Sequence, residues 1–253
     1  MKLLLFNVQN KYRIEHYKGI YRNKDTVVSL ANYVKENNID ILCLQEVLEI
    51  YRDRLIDNLD SYHAYGKPRL GDNFFTRKIE KLKRFNESVN IITKLDVSLE
   101  KTINLPNLPD FLPRIVTMIE VKYESKTITI LNTHLSAYNK ISKKRQLKYL
   151  LKIIKDIKKP VILTGDFNMN IKSDILNGFI EELAILSINH LEIAERTFKK
   201  SKRNLPIDHI FVSNSLRVKS LEVIKDKDVS FSDHYPILLE IKKNILDDYN
   251  RKQ

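Results

Sequence analysis

Short apolar runs recur along the chain, each broken by charge or by a polar pair, and their lengths separate strands from helices. LLLFNV, residues 3 to 8, reads as a first strand, and from Asn23 to Asn38 apolar residues at 27, 28, 31 and 34 have the spacing of one helix face. IDILCLQE, residues 39 to 46, is a second buried strand; residues 49 to 60 follow as a short helix, and the basic, glycine-containing stretch to Arg84 as a loop. SVNIIT, RIVTMIEV and TITILNTHL are rich in β-branched residues and continue as strands. Lys140 to Lys158 is the clearest helix, with Leu147, Leu150, Ile154 and Ile157 on one stripe and Pro160 beyond its end. PVILTGDF is a further strand, residues 173 to 186 a helix, and HIFV, VKSLEVI and PILLEI close the series as short strands.

Strands outnumber helices and often follow one another directly, which points to antiparallel sheets covered by helices and not to a regular βαβ winding. With 253 residues, 43% of them hydrophobic, and no repeat or linker, the chain is expected to form one domain over 1–253, with a frayed charged tail at 243–253. The 44 basic against 32 acidic side chains leave a formal charge of +12, which makes nucleic acids, phosphorylated small molecules or anionic membrane surfaces plausible partners. Cys43 is the only cysteine, so no intrachain disulfide can form and a thiolate metal site is excluded. No segment approaches the roughly 18 apolar residues of a membrane span, and the opening run is too short for a signal peptide. A soluble cytoplasmic protein is the expectation.

Polar residues collect where the apolar strands end. They are Asn7 after LLLF, Gln45 and Glu46 after ILCL, Asn132 and His134 after TITIL, Asp166 and Asn168 after VILTG, Asp208 and His209 before IFV, and Asp233 and His234 before YPILLEI. Any one of these would pass as a turn cap or a core histidine. Together they form a chemical set. Carboxylates and carboxamides without thiolates suit a hard cation such as Mg2+ or Mn2+, with Glu46 and Asp233 as its anionic ligands. Histidines beside carboxylates suit charge stabilisation on a phosphoryl group, Asp166 can hold or deprotonate a water, and Asn168 can donate to developing charge. The combination points to metal-assisted hydrolysis of a phosphoester.

Asn7, Gln45-Glu46, NTHL (132 to 135), GDFN (165 to 168), IDHI (207 to 210) and SDHYPI (232 to 237) stand in the order and spacing of the endonuclease/exonuclease/phosphatase superfamily, which the chain resembles from Asn7 to Ile241. The resemblance implies a four-layer αββα sandwich, DNase I-like, with two largely antiparallel sheets face to face, helices outside and the site at one rim. It implies Glu46, Asn7 and Asp233 as metal ligands, and His134 and His234 as the histidines flanking the scissile phosphate. Asp208 would orient His234, and Asp166 and Asn168 would act on the water and the transition state. Arg114 and Asn132 would contact the substrate phosphate, and Glu87 would orient His134. Thr197-Phe198 resembles a short packing element of the superfamily.

Where several members carry a phosphate-contacting tyrosine this chain has Phe85, which cannot donate a hydrogen bond. Two basic stretches, residues 77 to 84 and 199 to 203, are candidate paths for a polyanion. The leading expectation is a Mg2+-dependent phosphodiesterase or nuclease acting on nucleic acid. The alternatives are a phosphatase or phospholipase C-like enzyme on phosphorylated lipids or inositol phosphates, and an inactive nucleic-acid-binding scaffold.

Overall fold

The computed structural model describes residues 1–9, 26–71, 86–200 and 205–243. Two six-stranded sheets lie face to face. One has the order β11 (Val218–Val223), β12 (Ile237–Ile241), β1 (Lys2–Asn7), β2 (Ile41–Val47), β4 (Ser88–Thr93), β3 (His63–Tyr65). The other runs β5 (Val97–Leu105), β6 (Arg114–Tyr123), β7 (Lys126–His134), β8 (Val161–Asp166), β10 (Asp208–Ser213), β9 (Ile188–His190). The residues 77 to 84, Phe85, 201–203 and the tail beyond Lys243 lie outside the described residues.

The sheets are antiparallel except at their centres, where β1 pairs with β2 and β7 with β8 in parallel. Parallel neighbours need a crossover, and helices α1 (Thr26–Glu36) and α3 (Lys140–Lys155) supply it. With α2 (Glu49–Asp57) and α4 (Asp174–Ile185) they form the outer layers. The first is a cluster of Leu4, Phe6, Leu42 and Leu44 against Val27, Leu30 and Leu55; the second packs Leu131, Leu163 and Phe211 against Leu147, Leu150 and Leu183. Leu3, Leu5, Ile41 and Cys43 meet Ile130, Ile162 and Ile210 between the sheets. Helix, sheet, sheet, helix is the four-layer sandwich expected, and strands buried on both faces explain why LLLF and VIL read as unbroken apolar runs.

Helix positions follow the sequence pattern with two changes: α3 ends at Lys155, so Ile157 lies beyond it, and α1 turns one valine outward. The buried face of α1 is Val27, Leu30, Ala31 and Val34, while Val28 turns to solvent at 38% exposure. Helix α3 starts where Asn139 caps it, its Oδ1 accepting from the Ile141 and Ser142 N–H groups at 2.9 and 3.1 Å. Three strands carry no clear apolar signal: β3 and β9 have three residues each, and β5 is an edge strand with a mostly exposed, charged alternation.

Gly165, in β8, has φ +155° and lies so close to β7 that an added Cβ would collide with the Thr133 carbonyl oxygen. Replacing it by Ala would have to push the central strands β7 and β8 apart. Gly165→Ala is expected to lower unfolding stability by roughly 3 kcal/mol or more in urea denaturation, and a loss under 1 kcal/mol would show that these strands separate freely.

Candidate active site

Side chains alternate along a strand, so the face that lines the inter-sheet space keeps lining it to the strand's end. After Leu3 and Leu5 the in-phase residue of β1 is Asn7; after Ile128 and Ile130 those of β7 are Asn132 and His134; after Ile162 those of β8 are Thr164 and Asp166. β10 runs the other way and opens with Asp208, two before Ile210. The register sets His134 beside Asp166 and Asp166 beside Asp208, so three neighbouring strands deliver three polar groups to one edge of the sandwich.

Glu46 reaches this edge by another route. Ile41, Cys43 and Gln45 point between the sheets, which would turn Glu46 outward. Between Leu44 and Val47, however, β2 slips by one residue against β4, and Glu46 takes φ +56°. The bulge and the left-handed backbone rotate its carboxyl back to the site, and Val47 falls into the outer core.

Asp166 is the centre of the arrangement, 2% exposed. Its Oδ2 accepts from Asn7 Nδ2 at 3.0 Å and faces His134 Nε2 at 3.6 Å and His234 Nε2 at 3.7 Å; its Oδ1 accepts from the Asn168 N–H at 2.8 Å. Asn7 Nδ2 also donates to Glu46 Oε1 at 3.2 Å, which joins the two sheets through one amide. His234 donates from Nδ1 to Asp208 Oδ2 at 2.9 Å.

These contacts drive the two histidines to different protonation states. Burial works against a His234 imidazolium, but the touching Asp208, with Asp166 and Asp233 behind it, raises its pKa to about 10. His134 is pushed well below its ordinary value by burial, by Arg114 and Arg69, and by His234 itself. Asp166 is raised to about 6 by burial and by Asp208, and Glu46 to about 7 by burial and by Glu87. A neutral imidazole, an imidazolium and a carboxylate close to neutrality on one edge are the parts of an acid–base centre.

Most of the expected residues gather here, and three do not sit as expected. Asn132 is fully buried: it accepts from Gln45 Nε2 at 2.6 Å and donates to the Leu44 and Asn90 carbonyls at 3.0 and 2.9 Å. An amide saturated by the opposite sheet cannot contact a phosphate, so Asn132 is a clamp between the sheets and not a substrate ligand. Asp233 is held by Gln9 Nε2 at 2.6 Å and by Lys200 Nζ at 3.3 Å, and no hydrogen bond joins it to Glu46. Glu87 is ion-paired with Arg69 at 3.0 Å, and no hydrogen bond joins it to His134.

Arg114 lines a partly open cleft with Glu46, Arg69, Glu87, Pro113 and His134. Asn168, at φ +52°, donates from Nδ2 to the Leu135 carbonyl at 3.2 Å and keeps a second amide hydrogen. Thr197 Oγ1 accepts from the Ile207 and Asp208 N–H groups, and the Phe198 ring lies 5.0 Å from that of His234, which fits the expected packing role.

Sequence reasoning missed Gln9, Arg69, Lys143 and Ser232. Ser232 Oγ donates to the Asn7 carbonyl at 2.6 Å and accepts from the His234 N–H at 3.1 Å, tying the last loop to β1. Gln9 bridges Asn7 and Asp233, and Lys143 reaches from α3 to the Asn168 carbonyl at 2.8 Å. Ser232 opens the SDHYPI motif without being singled out there, and Gln9 lies two residues beyond the first strand's polar end; Arg69 and Lys143 left no trace in the pattern.

A sequence model of the endonuclease/exonuclease/phosphatase family matches residues 4–234. The chain belongs to that family. As a member of the endonuclease/exonuclease/phosphatase family it is a phosphoester hydrolase. Comparison with curated protein sequences gives no match. Among solved structures, the Bacteroides thetaiotaomicron mannosyl-6-phosphatase is 20% identical, covers 96% of this chain and 100% of its own, and superposes with a TM-score of 0.75. D. rerio TDP2, complexed with a single-strand DNA product, is 16% identical over 96% of this chain and 99% of its own, at 0.70. ANGEL2, a 2',3'-cyclic phosphatase, is 16% identical over 95% and 94%, at 0.67. At these identities the likeness is one of fold. No helix among the described residues is long and apolar enough to cross a membrane.

Enzymes of the endonuclease/exonuclease/phosphatase family generally depend on a divalent metal, and the donor set here fits one. Asp166, Asp208 and His234 have ligand atoms within 4.8 Å of one another, a spacing that could hold an ion. His234, however, has its Nδ1 on Asp208, and the carboxylates around it raise its pKa to about 10, which favours the imidazolium over a metal ligand. The better fit is at Glu46, whose carboxyl is crowded by Glu87 and Asp166 with no cation bonded to it among the described residues.

Behind Asp208, His209 is fully buried; its Nε2 donates to the Met169 carbonyl at 2.7 Å and its Nδ1 accepts from His190 Nε2 at 2.9 Å. Burial and His190 lower its pKa to about 4. Unfolded histidine binds a proton near 6.5, so this group contributes stability above that pH and loses it as pH falls toward 4. The stability advantage of the wild type over His209→Gln, from urea denaturation at several pH values, should therefore shrink by on the order of 3 kcal/mol between pH 7 and 4. A constant difference would contradict the neutral, buried state. Asn132→Ala is expected to cost about 3 kcal/mol, because Gln45 and two carbonyls lose their partner, with KM for any phosphoester unchanged; a raised KM would restore it as a ligand.

Proposed function

We propose that this enzyme hydrolyses phosphate esters by metal-assisted attack of water on phosphorus, with nucleic acid as the favoured substrate. The observation that carries the reading is the Asp166 carboxylate set between a neutral and a protonated histidine and tied through Asn7 to Glu46. Near pH 7 Asp166 is largely ionised and can take the proton of a water, to which its Oδ2 is the acceptor. His234, fixed by Asp208, presents Nε2–H to a phosphate oxygen as a full positive charge, and neutral His134 donates a hydrogen bond beside it. The free amide hydrogen of Asn168 and the Arg114 guanidinium meet the charge that develops on the other oxygens. Glu46 with Asn7 would hold Mg2+ or Mn2+, and Asp233 would complete the set by exchanging Lys200 for the ion. A divalent cation there supplies Lewis-acid polarisation of the phosphate and lowers the pKa of bound water.

Nucleic acid is favoured by the charge of +12 and by the placement of the first basic residues of the 199 to 203 stretch. The Lys199 N–H donates to the Asp233 carbonyl at 2.7 Å, which sets this segment against the site. A second reading, a phosphatase acting on phosphorylated small molecules, is favoured by the two arginines, Arg69 and Arg114, that line the cleft beside His134.

Asp166→Asn and His234→Ala should each lower kcat by about 10³-fold or more on whichever ester is turned over with Mg2+, while far-UV circular dichroism stays that of the wild type. EDTA should abolish turnover, and Mg2+ or Mn2+ should restore it. A fully active His234→Ala enzyme would remove the role given to that imidazolium, and turnover indifferent to EDTA would remove the metal.

A further inference from the structure

The cleft beside His134 holds two guanidinium groups where phosphate recognition by Arg114 asks for one. Arg69 and Arg114 both line it, together with Glu46, Glu87 and His134. Arg69 is deeply set: its side chain is 8% exposed, and its Nη2 lies 3.0 Å from Oε2 of Glu87, itself only 10% exposed. The bridge between Pro68 and Ser88 ties the two segments together, and the Arg69 N–H donates to the Glu87 carbonyl at 3.0 Å, so backbone and side chain place this pair jointly. No ion pair with a described residue holds Arg114, which opens β6 one residue after Pro113. The two cations stand close enough that Arg69 disfavours the charge of Arg114. Like charges gathered in a partly enclosed cleft are stabilised by an anion between them; Glu87 is engaged with Arg69, and Glu46 and Asp166 act on Arg114 without an ion pair to it.

We propose that Arg69 is a second phosphate-binding cation, held in place by Glu87, and that the Arg69–Arg114 pair fits the cleft to the dianion of a phosphate monoester. The inference rests on the phosphoester-hydrolase reading above and names the substrate class within it. A monoester carries close to two negative charges at pH 7 and three non-bridging oxygens, whereas a diester carries one charge and two such oxygens. A guanidinium fork binds two oxygens of one phosphate at once, so two forks together match a terminal phosphate and exceed what a diester offers. The same chemistry is present in a phosphorylated small molecule and at the phosphorylated end of a nucleic-acid strand. Glu87 acts through Arg69 and is a positioning residue.

The test compares p-nitrophenyl phosphate with bis(p-nitrophenyl) phosphate, each with Mg2+, for the wild type, Arg69→Gln, Arg69→Lys and Glu87→Gln. Arg69→Gln should lower kcat/KM on the monoester by about 100-fold and by at least tenfold more than on the diester. Arg69→Lys should recover some of the loss, and Glu87→Gln should raise the monoester KM more than it lowers kcat. Calorimetric titration gives a readout independent of turnover: inorganic phosphate should bind the wild type more tightly than dimethyl phosphate does, and Arg69→Gln should erase that difference. Two oligonucleotides, one ending in phosphate and one with free hydroxyls at both ends, set against the small ester, identify the source of the monoester. Equal losses on both esters, or phosphate binding untouched by Arg69→Gln, would overturn the proposal. Failure of the wild type to hydrolyse any of these esters would instead sink the catalytic reading, and the calorimetry would still decide Arg69.

Discussion

A carboxylate buried where two sheets meet is the constraint on which this structure depends. Asp166 is almost wholly removed from water, and a charge so placed must be met by donors or give up its ionisation. Asn7 at the end of β1 and the Asn168 N–H two residues beyond Asp166 donate to it, and His134 at the end of β7 and His234 from the last loop face it, His234 being held from behind by Asp208. No pair of them is close in sequence except Asp166 and Asn168. The site therefore exists only when both sheets are packed, and the apolar layer beneath it serves function by holding two strand ends at hydrogen-bonding distance.

The inter-sheet space changes character along the strands. Its lower region is Leu, Ile and Val, and its upper region is a run of amides and hydroxyls that bond across the gap, with Gln45 Oε1 left without a partner among the described residues. Asn132, Gln45 and Asn90 belong to one sheet or the other and bond across the gap, and Thr117 Oγ1 donates to the Val89 carbonyl of the opposite sheet. Apolar packing alone allows neighbouring layers to slide, whereas directional bonds between the layers hold one register. The polar zone thus fixes the alignment that the catalytic edge needs, and Asn132 does its work by having no group left over for a ligand.

Charge placement follows from the same geometry. His134 and His234 lie at nearly equal distances from Asp166, yet one is neutral and the other protonated, because His234 has Asp208 at its far nitrogen while His134 has two arginines nearby. The neighbours decide the role, not the residue type. The arginines that keep His134 neutral also form the cationic wall of the cleft, so substrate binding and the proton state of the site share one set of side chains.

The alternation of apolar residues, the strand ends and the polar residues that close them were legible along the chain, because period and in-phase position are properties of a single segment. Asn7, His134, Asp166 and Asp208 could be found by counting in twos from the core residues of their strands. Other features belong to no segment. Glu46 is out of phase and reaches the site only through a bulge whose slip is defined against β4, and Arg69 and Ser232 sit in stretches without periodicity, placed by what they touch. Asn132 obeys the same phase as His134 and yet became structural, because the facing sheet took every bond it could make. The amino-acid order by itself determined which faces are buried and which residues stand at the strand ends. Only packing decided which of those residues still had a hydrogen-bonding group free, since that depends on partners supplied by distant segments of the chain.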